Sequence, residues 1–145
     1  MLCLYSLADR DVAEIPATPP PILGLFDRPM WQSIREGHMH LQRCGACGHF
    51  RYPPAALCPK CLNASAAWTE ISGKAVIVSW VVFHRRYLPA YTPPYNVIAV
   101  RLEEGPIMMS NLEGVQPLGS WIGARVKMIY QEMPDGAVLP RFRLE

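Results

Sequence analysis

The chain has 145 residues and a formal net charge of +2; half of its residues are apolar, only 18 % are charged, and fifteen prolines stand against ten glycines. A chain of this size buries roughly 68 to 70 % of its unfolded surface, so a core forms without a staple, and the proline content favours a β-rich fold with short connections over long helices. The near-neutral balance argues against a phosphate-backbone binder with its concentrated basic face, and no run approaches the roughly 20 apolar residues that span a bilayer.

The first stretch, MLCLYSLADRDVAEIP, begins apolar but carries no basic leader, and Asp9, Arg10 and Asp11 interrupt it too early for a signal peptide. The expected location is therefore the cytoplasm, where thiols stay reduced. Residues 1–20 are predicted to be an arm: a short helix over residues 2–8, then IPATPPP, whose prolines lack backbone donors and favour extended chain. Residues 21–40 are predicted to be a helical segment. In DRPMWQSIREGHMH, Asp27 is placed to cap the helix and Pro29 suits its first turn. Trp31, Ile34 and His38 recur at helical spacing, and Gly37 ends the run.

Residues 41–72 hold the segment LQRCGACGHFRYPPAALCPKC. Four of the five cysteines form two CxxC pairs here, Cys44/Cys47 and Cys58/Cys61, with ten residues between the pairs. Two residues between paired cysteines let one tight turn present both sulfurs to a single ion, and Gly45 and Gly48 keep the first turn unstrained, with Asn63 placed to help the second. Four thiolates complete a tetrahedron, the closed arrangement of a structural zinc site rather than a catalytic one with an open position. Tetrahedral sulfur also suits iron. Disulfides, a redox CxxC and a metal-free ribbon are the competing readings; the reduced compartment disfavours the first, and the second pair is superfluous for the next. Cys3 stands outside the spacing and is read as a bystander.

From Gly73 the periodicity alternates. GKAVIVSWVVFH is β-branched with apolar residues on both faces, as in a buried or curled strand. YNVIAVRLEE sets Ile98, Val100 and Leu102 on one face, PIMMSNLE follows across the turn EEGP as a hairpin partner, and ARVKMIYQE and LPRFRLE complete the set. Five strands over residues 73–145 fit a small barrel that removes exposed edges, of the OB type, with an SH3-like barrel or an open sheet sharing the pattern.

The order of these features, from RPMWQSIREGHMHLQRCGACGHFRYPP through CPKC, WTEISGKAVIVSWVVFHR, PPYNVIAVRLEEGPIMMSNLEG and WIGARVKMIY to LPRFRL, resembles the acyl-CoA-associated family that joins a rubredoxin-like zinc ribbon to an OB-fold. The resemblance covers residues 21–145. It implies a mainly β chain: an N-terminal helix, a rubredoxin-like zinc ribbon and a C-terminal five-stranded OB-fold barrel. It further implies a non-catalytic accessory subunit with structural zinc. The expected ligand is acyl-CoA, and the expected partner is a thiolase-fold or ketosynthase-like protein in a hetero-oligomer that makes or breaks a C–C bond on a CoA thioester.

The loop FHRRYLPAYTPPY is where such a ligand or partner is expected to bind. Arg85 and Arg86 offer guanidinium forks for phosphates, and Tyr87 and Tyr91 offer rings for adenine, pantetheine or an interface; a solvated loop whose tyrosines pack on the barrel is the plain alternative. His38, His40 and His49 flank a ligand set that is already complete, so local hydrogen bonding is expected of them. Trp80 and Phe83 fall on opposite faces of the first barrel strand, and core packing is expected rather than a base-stacking platform. Trp31 is expected to anchor the helix, and Trp121 to cover the fourth strand. No activated cysteine, carboxylate pair or phosphate loop points to catalysis. Two further classes remain as alternatives: a single-stranded nucleic-acid binder, since OB-folds and zinc ribbons serve that use, and a rubredoxin-like electron carrier.

Overall fold

A computed structural model describes residue 21 and residues 23–145. The arm expected over residues 1–20, with Cys3, lies outside the described residues. The described residues run through one helix, α1 (Asp27–Arg35), three strands β1 (His40–Cys44), β2 (Phe50–Arg51) and β3 (Ala66–Glu70), and five strands β4 (Lys74–Phe83), β5 (Tyr95–Leu102), β6 (Ile107–Ser110), β7 (Arg125–Glu132) and β8 (Val138–Leu144).

Helix α1 buries Met30, Ser33 and Ile34 and packs against β1 and β8. Phe26 occupies the cap position, so Asp27 is not the cap the sequence predicted. Its carboxylate instead accepts from the Gly24 amide at 3.1 Å, one turn-length back. The helix also stops before His38. Gly37 sits at φ +82, its amide donates to the Ile34 carbonyl, and the His38 amide donates to the Ser33 carbonyl. That paired closure satisfies the last carbonyls and needs a residue free to adopt positive φ, which is why Gly37 ends the helix as expected.

Strands β2-β1-β3 form an antiparallel sheet that the sequence reading did not anticipate. The second sheet has the order β6-β5-β4-β7-β8, all antiparallel. It curls until its two edges meet. Leu112, just beyond β6, forms a parallel bridge with Phe142 of β8; the Glu113 amide donates to the Phe142 carbonyl at 2.7 Å, and Ser110 Oγ donates to the Pro140 carbonyl at 2.7 Å. This closure gives the OB-like barrel expected from the five strands. The hairpin predicted across EEGP is present, with Gly105 at φ +110 and the Leu102 amide bonded to the Pro106 carbonyl.

A register shift at Val78, between Ile77 and Ser79, lets β4 bend round from β7 to β5. Inside the barrel lie Ile77, Ile98, Val100, Leu102, Val126 and Phe142, each 0 to 1 % exposed. Met30 and Ile34 of α1, Leu41 of β1 and Met39 from the connection between them join the same apolar cluster. Helix and ribbon strand thus plug one flank of the barrel, and the apolar area they remove from water stabilises the junction by roughly 1.5 to 3 kcal/mol per large side chain. Two hydrogen bonds fasten it further: the Met39 amide donates to Tyr130 Oη at 2.6 Å, and the Ile71 amide to the Met39 carbonyl at 3.0 Å.

Candidate metal centre and ligand loop

The two CxxC pairs fold as near-copies of one turn. In the first, the Gly48 amide donates to the Cys44 carbonyl and the Cys44 amide to the His49 carbonyl; in the second, the Leu62 amide donates to Cys58 and the Cys58 amide to Asn63. The left-handed position falls on Gly48 (φ +71) in one turn and on Leu62 (φ +60) in the other. Asn63, expected to relieve the second turn, sits one residue later; its side-chain oxygen accepts from the Ser65 amide.

The turns face each other and bring four Sγ atoms within 4.8 Å of one another. Cys44 and Cys61 sulfurs stand 3.5 Å apart, and those of Cys47 and Cys58 3.6 Å. A disulfide requires about 2.0 Å, whereas four sulfurs at about 2.3 Å from a tetrahedral ion are separated by about 3.8 Å. The donor set therefore fits a four-thiolate metal and not a pair of disulfides. Cys44 Sγ, receiving the amides of Cys47 and Ala46, titrates at about 6 despite burial. At Cys58, burial raises the thiol, but the Lys60 and Cys61 amides and the Cys47 and Cys61 sulfurs together outweigh it and lower its titration. Cys61 also receives an amide, from Asn63, yet the sulfurs of Cys47, Cys44 and Cys58 and its own burial push it up to about 12. The mutual repulsion that raises Cys61 is what a bound cation would offset, and that is the electrostatic role a metal would have here.

One residue that the sequence reading passed over holds the second turn in place. Arg51 is 1 % exposed. Its Nη1 donates to the carbonyls of Ala55 (3.0 Å) and Ala56 (3.2 Å), and its Nη2 to those of Asn63 (2.8 Å) and Ser65 (2.9 Å). Gln42 adds a side-chain oxygen for the Ala55 amide at 2.8 Å. Irregular backbone cannot satisfy its own carbonyls, and a guanidinium fork reaches several at once. The cationic group also lies beside the second of the turns that carry the thiolates.

The histidines stay out of the sulfur cluster. His38 Nε2 lies 3.4 Å from Glu36, and His40 Nδ1 lies 2.9 Å from the His38 carbonyl oxygen. In the candidate ligand loop, Arg85, Arg86 and Tyr87 are exposed and Tyr91 is half-buried. Arg86 donates to Thr92 Oγ1 at 3.4 Å. Tyr87 meets Phe83 edge-on at 5.6 Å, Phe83 stacks on Tyr95 at 5.1 Å, and Tyr91 lies 5.3 Å from Tyr95, so the two tyrosines lie at either end of a row of rings. Trp80 differs from its expected core position: it stacks on the buried Trp121 at 4.6 Å and remains 37 % exposed, because the strand has already bent past its bulge and leaves the barrel end open there. No helix among the described residues is long and apolar enough to cross a membrane.

A closed four-thiolate turn pair in front of a five-stranded barrel defines a rubredoxin-like zinc ribbon joined to an OB-fold. The ChsH2 rubredoxin-like zinc ribbon domain matches residues 31–65, and the ChsH2 C-terminal OB-fold domain matches residues 68–131. A DUF35 domain-containing scaffold protein of Pyrococcus furiosus is 30% identical over 75% of this chain and 84% of its own length. A chain of the solved Ltp2-ChsH2(DUF35) aldolase is 30% identical, with a TM-score of 0.78 over 86% of this chain and 98% of that one. The chain belongs to the ChsH2/DUF35 family. It is also 33% identical, over 81% of its length, to a probable enoyl-CoA hydratase alpha subunit of Thermomonospora curvata, and 30% identical, over 72%, to the 3-oxo-4,17-pregnadiene-20-carboxyl-CoA hydratase alpha subunit of Mycobacterium tuberculosis. It spans only 37% and 33% of those two proteins.

Proposed function

We propose that the chain is a non-catalytic accessory subunit that binds a thiolase-fold partner and an acyl-CoA, the partner making or breaking a C–C bond on the thioester. The observation that carries this reading is the near-complete correspondence with a chain of the Ltp2-ChsH2(DUF35) aldolase, an assembly whose name pairs a ChsH2(DUF35) component with a second one. The CoA thioester chemistry in the names of two relatives agrees with it. So does the outer face of the barrel. Cross-strand register aligns Val76 with Arg101 and Ile107, Ser79 with Ala99 and Met109, and Val81 with Val97. Val76, Val81, Ile107 and Met109 on that face are all exposed, an apolar strip of the kind that partners cover. Four thiolates leave the metal no open position, so zinc positions the ribbon and takes no part in the chemistry.

The test is purification of the untagged protein from its native host, followed by titration of the recovered assembly with CoA thioesters and with a single-stranded oligonucleotide at moderate salt. A thiolase-fold polypeptide in the assembly and a response to CoA thioesters are expected. A lone monomer that binds the oligonucleotide and ignores CoA thioesters would sink the reading.

A further inference from the structure

Arg141 of β8 is 4 % exposed, yet among the described residues its guanidinium makes no hydrogen bond. Its nearest carboxylate, Glu113, stands 3.9 Å away, beyond hydrogen-bond reach, and the Tyr91 ring lies 5.7 Å from its central carbon. Nε has no hydrogen-bond partner among the described residues. A buried cation left in this state is costly unless something pairs with it.

The guanidinium lines a cavity of about 300 Å³ at one end of the barrel, near the lower limit for small-molecule sites. Tyr91 comes from the β4–β5 loop and Met133 from the β7–β8 turn, the two connections between which OB-folds commonly take ligands. Two asparagines in the wall are already committed: the Asn96 amide group donates to the Leu112 carbonyl and accepts from the Leu112 amide, and Asn111 donates to the Asn96 carbonyl. Gln131 is not, and its buried Oε1 has no donor. Among the groups left for a ligand are thus one planar cation, one buried acceptor and the flat walls of Tyr91 and Tyr95, with the Gln116 side chain at the same cavity.

From this we infer that the barrel end is a binding site for a small organic oxyanion, carboxylate or phosphoryl, with an apolar or aromatic body. The oxyanion faces the Arg141 fork, as guanidinium geometry favours. A hydroxyl or N–H beside it donates to Gln131 Oε1, and the body lies against the tyrosines. Glu113 is the resident competitor, holding the cation loosely when the site is empty. The inference needs neither the partner nor the acyl-CoA of the preceding reading.

The experiment uses the full chain loaded with zinc, with benzoate and phenyl phosphate as separate probes, and follows the Arg141 Nε–H resonance. Saturable shifts are expected for at least one probe at roughly millimolar affinity or tighter, and the probe that binds identifies the headgroup. Arg141→Met should weaken that binding about tenfold or more. Glu113→Gln should tighten it roughly two- to fivefold by removing the competing carboxylate, an effect that no loss of folding imitates. Absence of a shift with both probes overturns the inference, and so does Glu113→Gln leaving the affinity unchanged or weaker.

Discussion

Arg51 shows how one side chain can organise a segment that has no regular structure. Its four close carbonyl partners span Ala55 to Ser65, the whole second turn of the metal centre. Arg51→Met is expected to destabilise the metal-loaded protein by about 3 kcal/mol or more, since buried carbonyls lose a charged donor together. Arg51→Lys should recover only part of that, because an ammonium cannot fork to both sides of the turn. Denaturant midpoints of the three proteins check the order; equal midpoints for Lys and wild type would refute the fork. The arginine was not legible in HFRYPPAAL because all its partners are backbone atoms, whose positions no residue type announces. Tyr52 and Tyr130 carry a second prediction. Burial raises the titration of both phenols, at Tyr130 with a further push from Glu70 against the Met39 amide. A raised phenol keeps its proton longer in the folded chain, so its stability contribution is complete below the unfolded value near 10 and is lost as pH rises through the folded one. Alkaline unfolding should steepen above about pH 10, and Tyr52→Phe should flatten it; an unchanged slope would show that burial of this phenol is not what the titration reports.

At the scale of elements, the duplicated turn makes a comparison within one molecule. Gly48 and Leu62 occupy the same left-handed position in the two copies, and only one of them is suited to it. Leu62 is 72% exposed, so it returns little burial for that backbone strain. Leu62→Gly should stabilise the loaded protein by about 0.5 to 1 kcal/mol, the left-handed penalty less the added freedom of the unfolded glycine. Gly48→Ala should cost about 1 kcal/mol in the opposite direction. Thermal melts at fixed zinc concentration measure both, and a destabilised Leu62→Gly would mean that the leucine side chain has a contact worth more than the strain. Strand β5 was the most legible because its alternation of buried and less buried residues runs the whole eight residues of Tyr95–Leu102, and β4 and β7 each open on a four-residue alternation. The ribbon strands were not legible. Phe50–Arg51 is two residues long, and β1 enters the turn at Cys44, so no periodicity has room to show. The cysteines were readable from spacing alone, whereas the Arg141 cavity was hidden, since Glu113, Gln131 and Arg141 come from three separate segments that only barrel closure brings together.

Over the whole molecule, metal and apolar core support different parts of the chain. Between Gly45 and Ser65 only Arg51, Pro54 and Cys58 are buried, and only Phe50 and Tyr52 reach the edge of the core cluster. The rest of that segment therefore relies mainly on the ion, Arg51 and short-range backbone bonds. Met30, Ile34, Met39 and Leu41, in contrast, belong to the same cluster as Val100, Val126 and Phe142 of the barrel. Binding energy at a four-thiolate zinc site reaches about 10 to 16 kcal/mol, and where little core backs it that energy is most of the local folding energy. Chelation should consequently unfold the chain in two stages. Amides over residues 45–65 should lose protection as zinc leaves, while those of β5, β7 and α1 keep theirs until the barrel itself melts. Hydrogen exchange with and without a chelator resolves the stages, and simultaneous loss of protection in β5 and β7 would refute the division. The junction at Met39, bonded to both Tyr130 and Ile71, is where the boundary should fall. If it does, a metal-free chain still presents the outer face of β4, β5 and β6 intact, and any partner that docks there binds it with or without zinc. A partner that requires zinc must then touch the ribbon as well, which makes the zinc dependence of assembly a direct readout of which surface is used.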